Sequence, residues 1–346
     1  MYRHCFFDDY SEGAHPRVLA QLAADTLAQE PGYGNDAPSQ RAAALLRIAT
    51  GSPGAAVHFV SGGTQANLIA LASVLRPHES VVAAASAHIH VHETGAVEAT
   101  GHKINLVAGA DGKLAPDAVR AVVAQHADEH MVRPRVVFVS QPTELGTLYS
   151  AAELEALSEA CRELGLYLYL DGARLASALA SPACDLALPR LAALVDMFYL
   201  GGTKNGALFG EAIVITNPAL QPDFRYHLKQ RGALLAKGRA LGTQFVALLE
   251  DELYLELARH ANAMAARLAA GLSGAGVRFL GEPVTNLVFP ILPDATIARL
   301  REAYGFHVWG RVDDAHSAIR LVASWATTPA AVDAFLDDFA ASTAAG

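Results

Sequence analysis

The sequence lacks the features that mark nucleic-acid binders, membrane proteins and disulfide-stabilised domains. Its 346 residues carry a formal net charge of −9, whereas a general nucleic-acid binder needs a basic surface. The three cysteines form no CxxC pair, and an odd number makes no disulfide framework, so we expect a reducing, cytoplasmic environment. No apolar run reaches the roughly 20 residues of a membrane span, and the N-terminus has no signal-peptide pattern. Neither nucleic acid nor a membrane is an expected partner.

Lysine is also scarce, which makes the surroundings of each lysine informative. Only 5 of the 26 basic residues are lysine. Lys204 lies in DMFYLGGTKNG (196–206), where an apolar run ends in two glycines. A neutral amine attacks a carbonyl carbon to form a Schiff base, which a permanently charged guanidinium cannot do. The alternative is an incidental loop lysine whose ammonium group reaches solvent.

Short apolar runs of strand character alternate with helical patterns over residues 1–245. This alternation predicts an α/β fold with a parallel sheet covered by helices, whose ligands lie beyond the carboxyl ends of the strands. Gly62–Gly63–Thr64, Asp171 and Lys204 each close or follow a predicted strand. One long amphipathic helix and several short strands then predict a smaller α+β domain over residues 246–346. We therefore expect a large domain over residues 1–245 and a small C-terminal domain.

Two strand ends suggest a phosphorylated cofactor. Asp171 follows the apolar run LYLYL, and a buried carboxylate needs a cation or hydrogen bonds. The protonated ring nitrogen of pyridoxal 5′-phosphate (PLP) is one such partner, and a structural ion pair with Arg174 is the alternative. The stretch SGGTQAN (61–67) offers backbone N–H groups at a strand-to-helix junction, as phosphate sites do. An ordinary strand-to-helix turn has the same composition.

A histidine cluster lies in SAHIHVHETGA (86–96). If this stretch is extended, His88, His90 and His92 share one face, which invites a metal site. No second group of ligands completes such a site, so we expect no metal. The alternative is an imidazole stacked on a cofactor ring, with a second histidine near the substrate. A PLP enzyme needs a phosphate-binding turn, a histidine that stacks on the ring, an aspartate for the ring nitrogen and a lysine for the Schiff base. The sequence offers candidates for all four, in that order.

These motifs together resemble those of the low-specificity L-threonine aldolases, PLP enzymes of the aspartate-aminotransferase fold (fold type I). The matching stretches are GYGND (32–36), SGGTQANLIAL (61–71), AHIHVHETGA (87–96), QPTELGTLY (141–149), DGARL (171–175) and GGTKNG (201–206). The resemblance extends over nearly the whole chain. It implies a mostly parallel seven-stranded sheet, an active-site arm formed by the first 15 residues, and a homodimer or homotetramer with active sites at subunit interfaces.

The resemblance implies roles for the cofactor half of the site. Lys204 binds PLP as a Schiff base, Asp171 keeps the pyridine nitrogen protonated, and His88 stacks on the ring. Arg174 lies near the 3′-oxygen of the cofactor or near the substrate. The cofactor-binding positions are Gly62, Gly63, Thr64, His88, Asp171, Arg174 and Lys204. The catalytic positions are Lys204, His88, Asp171 and His92.

It also implies roles for the substrate half. Arg320, in AIRLVASW, grips the substrate carboxylate, a bidentate task that suits arginine. Tyr33 lies near the active site and reaches across a dimer interface. A residue of the neighbouring subunit reaches the phosphate, and Lys229, Lys237 and Arg239 stay open as candidates. The substrate-binding positions are Arg320, Arg174, Tyr33, Asp8 and Thr143.

Two stretches depart from the family pattern. Many members have Asn-Thr-His-Asn where this chain has QPTELG, so that Thr143 replaces the histidine and Glu144 follows it. Many members begin with RSDT where this chain has FDDY, with Phe7 at the serine position and Asp8 after it. Both stretches touch substrate in the family, so substrate preference and the identity of the base stay open.

The activity implied is cleavage of the Cα–Cβ bond of L-threonine, L-allo-threonine and related β-hydroxy-α-amino acids to glycine and an aldehyde. His88, His92 or an ordered water takes the β-hydroxyl proton. The rival activity is PLP-dependent β-elimination on a serine-, cysteine- or tryptophan-like amino acid. A third hypothesis is a non-catalytic binding protein with the fold of a PLP enzyme. The Lys204–Asp171 pair argues against it, because a protein that only binds a ligand needs neither a reactive amine nor an electron sink.

Overall fold

The computed structural model describes residues 2–109 and 111–344. Its strands are β1 (His4–Cys5), β2 (Ala56–Val60), β3 (Glu79–Ala84), β4 (Lys103–Val107), β5 (Arg133–Ser140), β6 (Tyr167–Asp171), β7 (Met197–Gly201), β8 (Glu211–Ile215), β9 (Arg278–Phe279), β10 (Leu287–Val288), β11 (Pro290–Pro293), β12 (Tyr304–Gly305), β13 (His307–Arg311) and β14 (His316–Val322). Its helices are α1 (Pro16–Ala24), α2 (Ala37–Ala49), α3 (Gly63–Val74), α4 (His88–Val91), α5 (Pro116–Gln125), α6 (Ala151–Leu164), α7 (Leu175–Leu179), α8 (Leu188–Leu194), α9 (Phe224–Gln230), α10 (Arg239–Leu249), α11 (Leu253–Gly274), α12 (Asp294–Leu300) and α13 (Pro329–Ala344).

The central sheet has seven strands in the order β2-β8-β7-β6-β5-β3-β4. Five of them, β3 to β7, run parallel, and β8 runs antiparallel to its neighbours β2 and β7. The prediction of a mostly parallel seven-stranded sheet is therefore confirmed. The parallel strands all end at one edge, where Asp171 closes β6 and Lys204 follows β7.

Alternating residues of the buried strands pack into two separate cores, one on each face of the sheet. On β7, Phe198 and Leu200 join one core, and Met197 and Tyr199 join the other. Side chains of a strand point alternately to opposite faces, so a sheet covered on both sides needs apolar residues at successive positions. This requirement explains why the predicted strands read as continuous apolar runs.

The helix predicted from SAAELEALSEACRELG ends where its signals place it. Ser150 and Glu153 form a reciprocal capping box at the start of α6, and Gly165 ends it in the left-handed conformation with φ 65°. The helix predicted from residue 115 to residue 130 is shorter than expected. It ends at Gln125 because His126 leaves the helical conformation, with φ −104° and ψ 62°.

The first residues of the chain pack against its last third. Strand β1 pairs in parallel with β12, and Phe6 lies in the core formed by α11, α12, α13 and β14. A second, antiparallel sheet contains β9, β10, β11, β13 and β14. The predicted domain boundary between residues 245 and 246 falls within α10, so the division into two domains stays a prediction. Among the described residues, no helix is long and apolar enough to cross a membrane.

Candidate active site

The carboxyl ends of the central strands open into a cavity of about 460 Å³. Lys204 reaches it from β7, Arg174 from the loop after β6, and His88 from the short helix after β3. The second sheet closes the opposite wall with residues of β13 and β14. The lining residues are Tyr10, His88, His92, Glu144, Arg174, Lys204, His307, Val308, Trp309 and Arg320.

Lys204 presents a buried amine that makes no direct hydrogen bond or ion pair with the described residues. The ring of Tyr10 lies 5.9 Å away. Burial lowers the pKa of Lys204, and the positive charge of Arg174 lowers it further. Together they outweigh the opposite effect of three carboxylates, those of Asp9, Glu144 and Asp171. The preceding glycines permit this position, because a Cβ on Gly202 would lie 2.7 Å from the carbonyl oxygen of Gly210. The amine is therefore poised to act as a nucleophile.

Asp171 is a buried carboxylate held by neutral donors. Its Oδ1 accepts hydrogen bonds from Tyr199 Oη at 2.6 Å and from the Ala173 N–H at 2.9 Å, and its Oδ2 accepts one from Asn67 Nδ2 at 2.9 Å. The ion pair with Arg174 that the sequence left open does not form. Since only neutral groups donate hydrogen bonds to Asp171, its negative charge fits a cationic ring N–H. Asp171 is buried and is not itself among the residues that line the cavity.

Asn67 connects Asp171 to His88 through a second buried acid. The amide Nδ2 of Asn67 donates to Asp171 and also to Glu93 Oε1 at 2.7 Å. Tyr169 Oη donates to Asn67 Oδ1 at 3.0 Å, which fixes the orientation of the amide. His88 Nδ1 lies 2.8 Å from Glu93 Oε1. Burial lowers the pKa of His88, but the hydrogen bond with Glu93 and the charge of Asp171 outweigh burial and raise it.

Replacing Asn67 by Ala should destabilise the protein by about 3–5 kcal/mol, because Glu93 and Asp171 each lose a donor inside the core. Urea unfolding of the cofactor-free protein measures this loss. Asn105→Ala is the matched control, since buried Asn105 donates a single hydrogen bond to the neutral Ser80 Oγ at 2.8 Å. Its expected cost is about 1 kcal/mol, and equal losses in the two variants would contradict the bridging role.

The start of α3 offers an open anion site. Gly62 caps the helix without any side-chain hydrogen bond, and a Cβ at Gly62 would meet nothing within 4 Å. The N–H groups of Gly63 and Thr64 have no acceptor within the helix, as at every helix start. A Cβ at Gly63 would lie 3.1 Å from Tyr199 Oη, the group that also holds Asp171. The N–H groups of the turn therefore suit a phosphate, although Gly62, Gly63 and Thr64 are not among the residues that line the cavity.

The histidine stretch is helical, so the extended arrangement that would place three histidines on one face does not form. Residues His88–Val91 form one helical turn, which brings residues four apart to the same side. His88 and His92 consequently lie with ring centroids 5.4 Å apart, while His90 is exposed. In the described part of the chain, no three His, Cys, Asp or Glu side chains converge as a metal site would require.

The two arginines of the cavity have different partners. Arg174 forms an ion pair with Asp9, with 2.7 Å between Arg174 Nε and Asp9 Oδ2. Arg320 Nη2 donates to the carbonyl oxygen of Phe7 at 3.1 Å, and its guanidinium lies 5.3 Å from the ring centroid of Trp309. Within the described residues, the buried Nε of Arg320 has no hydrogen-bond partner. Arg320 therefore keeps donors available for a carboxylate.

Two predicted substrate residues lie outside the lining of this cavity. Asp8 Oδ1 accepts hydrogen bonds from the Tyr10 N–H and from Ser11 Oγ, within the N-terminal segment. Thr143 is buried and shares a 2.6 Å hydrogen bond with Thr147 Oγ1. The neighbouring Glu144 lines the cavity instead. Substrate contacts by Asp8 and Thr143 stay predictions.

Tyr33 also lies away from the cavity of its own chain. It is 43% exposed with φ 64°, and the Lys229 ammonium lies 4.6 Å from its ring centroid. Lys237 is exposed. Arg239 is committed to its own subunit, where its guanidinium donates to the carbonyl oxygens of Asp25, Thr26 and Ala28.

Sequence reasoning missed several residues of the site. Asn67 belongs to the SGGTQAN motif, and its place near the start of α3 signals a side chain near the strand ends. Tyr199 carried no signal, because an aromatic residue within DMFYL reads as core. Asp9, Tyr10 and Trp309 are brought in by tertiary contacts between distant segments. The missed residues are Asp9, Tyr10, Asn67, Glu93, Tyr199, Asn286, His307, Val308 and Trp309.

Comparison with known proteins gives consistent matches. A family model described as beta-eliminating lyase matches residues 8–295. The low specificity L-threonine aldolase of Pseudomonas aeruginosa is 38% identical, over 92% of this chain and 92% of that protein. The low specificity L-threonine aldolase of Escherichia coli (strain K12) is 28% identical, over 70% of this chain and 72% of that protein.

Solved structures agree with the sequence matches. The threonine aldolase of Leishmania major superposes with a TM-score of 0.96 at 46% identity, covering 98% of this chain and 99% of that chain. Aspartate aminotransferase from Thermus thermophilus superposes with a TM-score of 0.72 at 16% identity, over 99% of this chain and 91% of that chain. At that identity the likeness concerns the fold alone, and it supports the fold type I architecture.

Proposed function

The chain belongs to the beta-eliminating lyase family and to the low-specificity L-threonine aldolases, and from this premise we propose that it is a PLP-dependent carbon-carbon lyase. It cleaves the Cα–Cβ bond of L-threonine, L-allo-threonine and related β-hydroxy-α-amino acids to glycine and an aldehyde, which is acetaldehyde for threonine. The observation that carries the proposal is the juxtaposition of two buried groups: the amine of Lys204, which makes no hydrogen bond or ion pair with the described residues, and the carboxylate of Asp171, which neutral donors hold.

The described residues fit PLP. Lys204 would hold it covalently through its amine, Asp171 would face the ring nitrogen, and His88 would lie against the ring. The first turn of α3, from Gly62 to Thr64, would bind the phosphate. When bound, PLP supplies a conjugated protonated ring that accepts the electron pair released as the Cα–Cβ bond breaks.

The protein supplies orientation through Arg320 and base catalysis through His92. Arg320 would bind the substrate carboxylate, which sets the direction of the Cα–Cβ bond, and such orientation supplies much of the rate. Partial burial lowers the pKa of His92, as does the neighbouring His88. A neutral imidazole accepts a proton, so His92 would take the β-hydroxyl proton as the aldehyde leaves. His88 suits this step less well, because its bond with Glu93 stabilises the charged form.

Product analysis tests this proposal directly. L-Threonine, L-allo-threonine and L-phenylserine are incubated with the PLP-loaded protein, and glycine and aldehyde are measured against keto acid and ammonia. Glycine and aldehyde in equal amounts are expected. Keto acid with ammonia as the main products would instead support the rival β-eliminating lyase on serine-, cysteine- or tryptophan-like substrates.

Replacing Arg320 by Ala should raise the KM for L-threonine by about 100-fold, because a charge-assisted bidentate contact with the carboxylate is lost. The effect on kcat should be smaller. Steady-state kinetics measures both constants. Arg311→Ala is the control, since Arg311 lies on the neighbouring strand β13, is exposed and pairs with Asp294. An unchanged KM in the Arg320 variant would contradict the carboxylate contact.

We also propose a homodimer or homotetramer in the cytoplasm. Support comes from the exposed Tyr33–Lys229 pair, which lies outside its own cavity and suits use by a neighbouring subunit. Because Arg239 is held within its own chain, Lys229 and Lys237 are the better candidates for the neighbour's phosphate. The three cysteines are free, as in a reducing compartment.

A further inference from the structure

The carboxylate of Asp9 occupies one edge of a cavity-lining guanidinium. Its Oδ2 accepts a hydrogen bond from Arg174 Nε at 2.7 Å, and its Oδ1 accepts one from Arg174 Nη2 at 3.1 Å. The side chains of Asp9 and Arg174 are 1% and 9% exposed. A planar carboxylate binds arginine through two parallel bonds of this kind. That edge of Arg174 is therefore closed to a carboxylate of the substrate.

Asp9 is itself fixed by a third segment of the chain. Asn286 Nδ2 donates to Asp9 Oδ2 at 2.9 Å and to the carbonyl oxygen of Ala323 at 2.9 Å. The N-terminal segment, the loop after β6 and the residue before β10 thus meet at one carboxylate. The side chains of Asp9, Arg174 and Asn286 are almost fully shielded from solvent. The guanidinium of Arg174 therefore has one defined orientation toward the cavity.

The other guanidinium of the cavity, that of Arg320, forms no such ion pair with the described residues, although the charges of Asp9 and Glu144 act on it from a distance. Arg320 is held by the carbonyl oxygen of Phe7 and the ring of Trp309. Glu144 is the acid that lines the cavity, and none of the described residues forms a hydrogen bond or ion pair with it. Besides the Lys204 amine and three histidines, the cavity therefore offers one guanidinium free of ion pairs with the described residues, that of Arg320, one guanidinium paired with Asp9, and the carboxylate of Glu144.

We propose that Asp9 is a positioning and specificity-determining residue, which fixes Arg174, cancels its charge and thereby selects amino acids with a single carboxylate. A second carboxylate, in the side chain of the amino acid, meets the neutralised Arg174 and the negative charge of Glu144. The electrostatic cost of that encounter excludes dicarboxylic amino acids. The choice of amino acids as ligands rests on the proposed function, but the binding test below needs no turnover.

The test compares L-aspartate with L-asparagine, which differ by one charge at equal size. Each is titrated into the PLP-loaded full-length protein, and its dissociation constant is read from the visible absorbance of the bound cofactor. The wild type should prefer L-asparagine. Asp9→Asn keeps the shape of the side chain but makes the cavity one charge unit more positive. The affinity for L-aspartate relative to that for L-asparagine should therefore rise by about tenfold.

Asp338→Asn is the matched control. Asp338 pairs with Arg3 at 2.7 Å, so it too joins the N-terminal segment to the rest of the protein, but at the surface. In the Asp338→Asn variant, the ratio of the dissociation constants for L-aspartate and L-asparagine should equal that of the wild type. The double variant Asp9→Asn/Arg174→Gln replaces the ion pair by a neutral pair and should restore the wild-type ratio. A purely structural role for Asp9 would not produce this rescue.

An unchanged ratio in folded Asp9→Asn overturns the proposal. If that variant does not fold, Arg174→Gln alone decides, because it makes the cavity one unit more negative and should move the ratio away from L-aspartate. A ratio equal to that of the wild type would again overturn the proposal. Failure of the proposed function is recognised separately, as the absence of glycine and aldehyde from L-threonine, and it leaves the binding comparison intact.

Discussion

Replacing Lys204 by Ala should abolish the visible absorbance of the bound cofactor and reduce turnover by at least about 10³-fold. Alanine has no amine to hold the cofactor covalently, and nothing near it replaces one. In the described part of the chain, the other lysines lie outside the cavity. Visible absorbance after addition of PLP, followed by the glycine assay, measures both effects.

The same variant has a second expected result that a structural lysine would not give. Because Nζ makes no hydrogen bond or ion pair with the described residues, its removal should leave the free energy of unfolding of the cofactor-free protein unchanged or slightly higher. Lys103→Ala, at an exposed position at the start of β4, is the control and should keep both absorbance and turnover. A retained visible band in Lys204→Ala would show that another residue holds the cofactor.

Replacing Asp171 by Ala should weaken cofactor binding and reduce kcat by about 10²–10³-fold, because the ring nitrogen loses the charge that keeps it protonated. The variant should also lose about 2–4 kcal/mol of stability, since Tyr199, Asn67 and the Ala173 N–H lose their acceptor. Asp171→Asn retains one acceptor oxygen, so it should fold better and still turn over slowly. Cofactor titration, kcat and urea unfolding separate these effects.

Asp196 provides the control for this experiment. It lies next to the start of β7, at the opposite end of the sheet, and accepts hydrogen bonds from the Leu168 N–H and Asn217 Nδ2, each at 2.7 Å. Asp196→Ala should cost similar stability but leave kcat per folded molecule unchanged. Near-normal turnover in both Asp171 variants would remove Asp171 from the catalytic machinery.

The cofactor half of the site was predictable because local sequence determines it. In a parallel sheet the carboxyl ends of the strands lie at one edge. The sequence shows three predicted strands that end in functional motifs: one in Gly62–Gly63–Thr64, one in Asp171 and one in the glycines before Lys204. These motifs were therefore expected to lie together. The capping box at Ser150 and the left-handed Gly165 were readable for the same reason, since both signals lie within one helix.

The substrate half was less predictable because it depends on contacts between distant segments. Asp8 and Asp9 are adjacent acids with different surroundings in the folded protein. Asp8 accepts a hydrogen bond from Ser11 in a surface turn, whereas Asp9 forms a buried ion pair with Arg174. The sequence alone does not distinguish them, because the fold of the N-terminal segment decides which side chain points inward.

Residues His88–Val91 form a short helix and not an extended segment, and tertiary contacts hold it, since Glu93 binds His88 and is itself bound by Asn67 of α3. Propensity within a four-residue segment does not decide such a case.

The N-terminal segment, whose strand β1 pairs with β12, contacts parts of the chain that are far away in sequence, and this has a consequence for how the protein is made. Asp9 lies 165 positions before Arg174 and 277 positions before Asn286, and Phe7 lies 313 positions before Arg320. A chain emerging from the ribosome has already released its N-terminal segment long before these partners exist. Contacts of such separation form late, since loop closure precedes any gain from them. The substrate cavity is therefore completed only when nearly the whole chain has been synthesised, after the cofactor-binding sheet has all its strands.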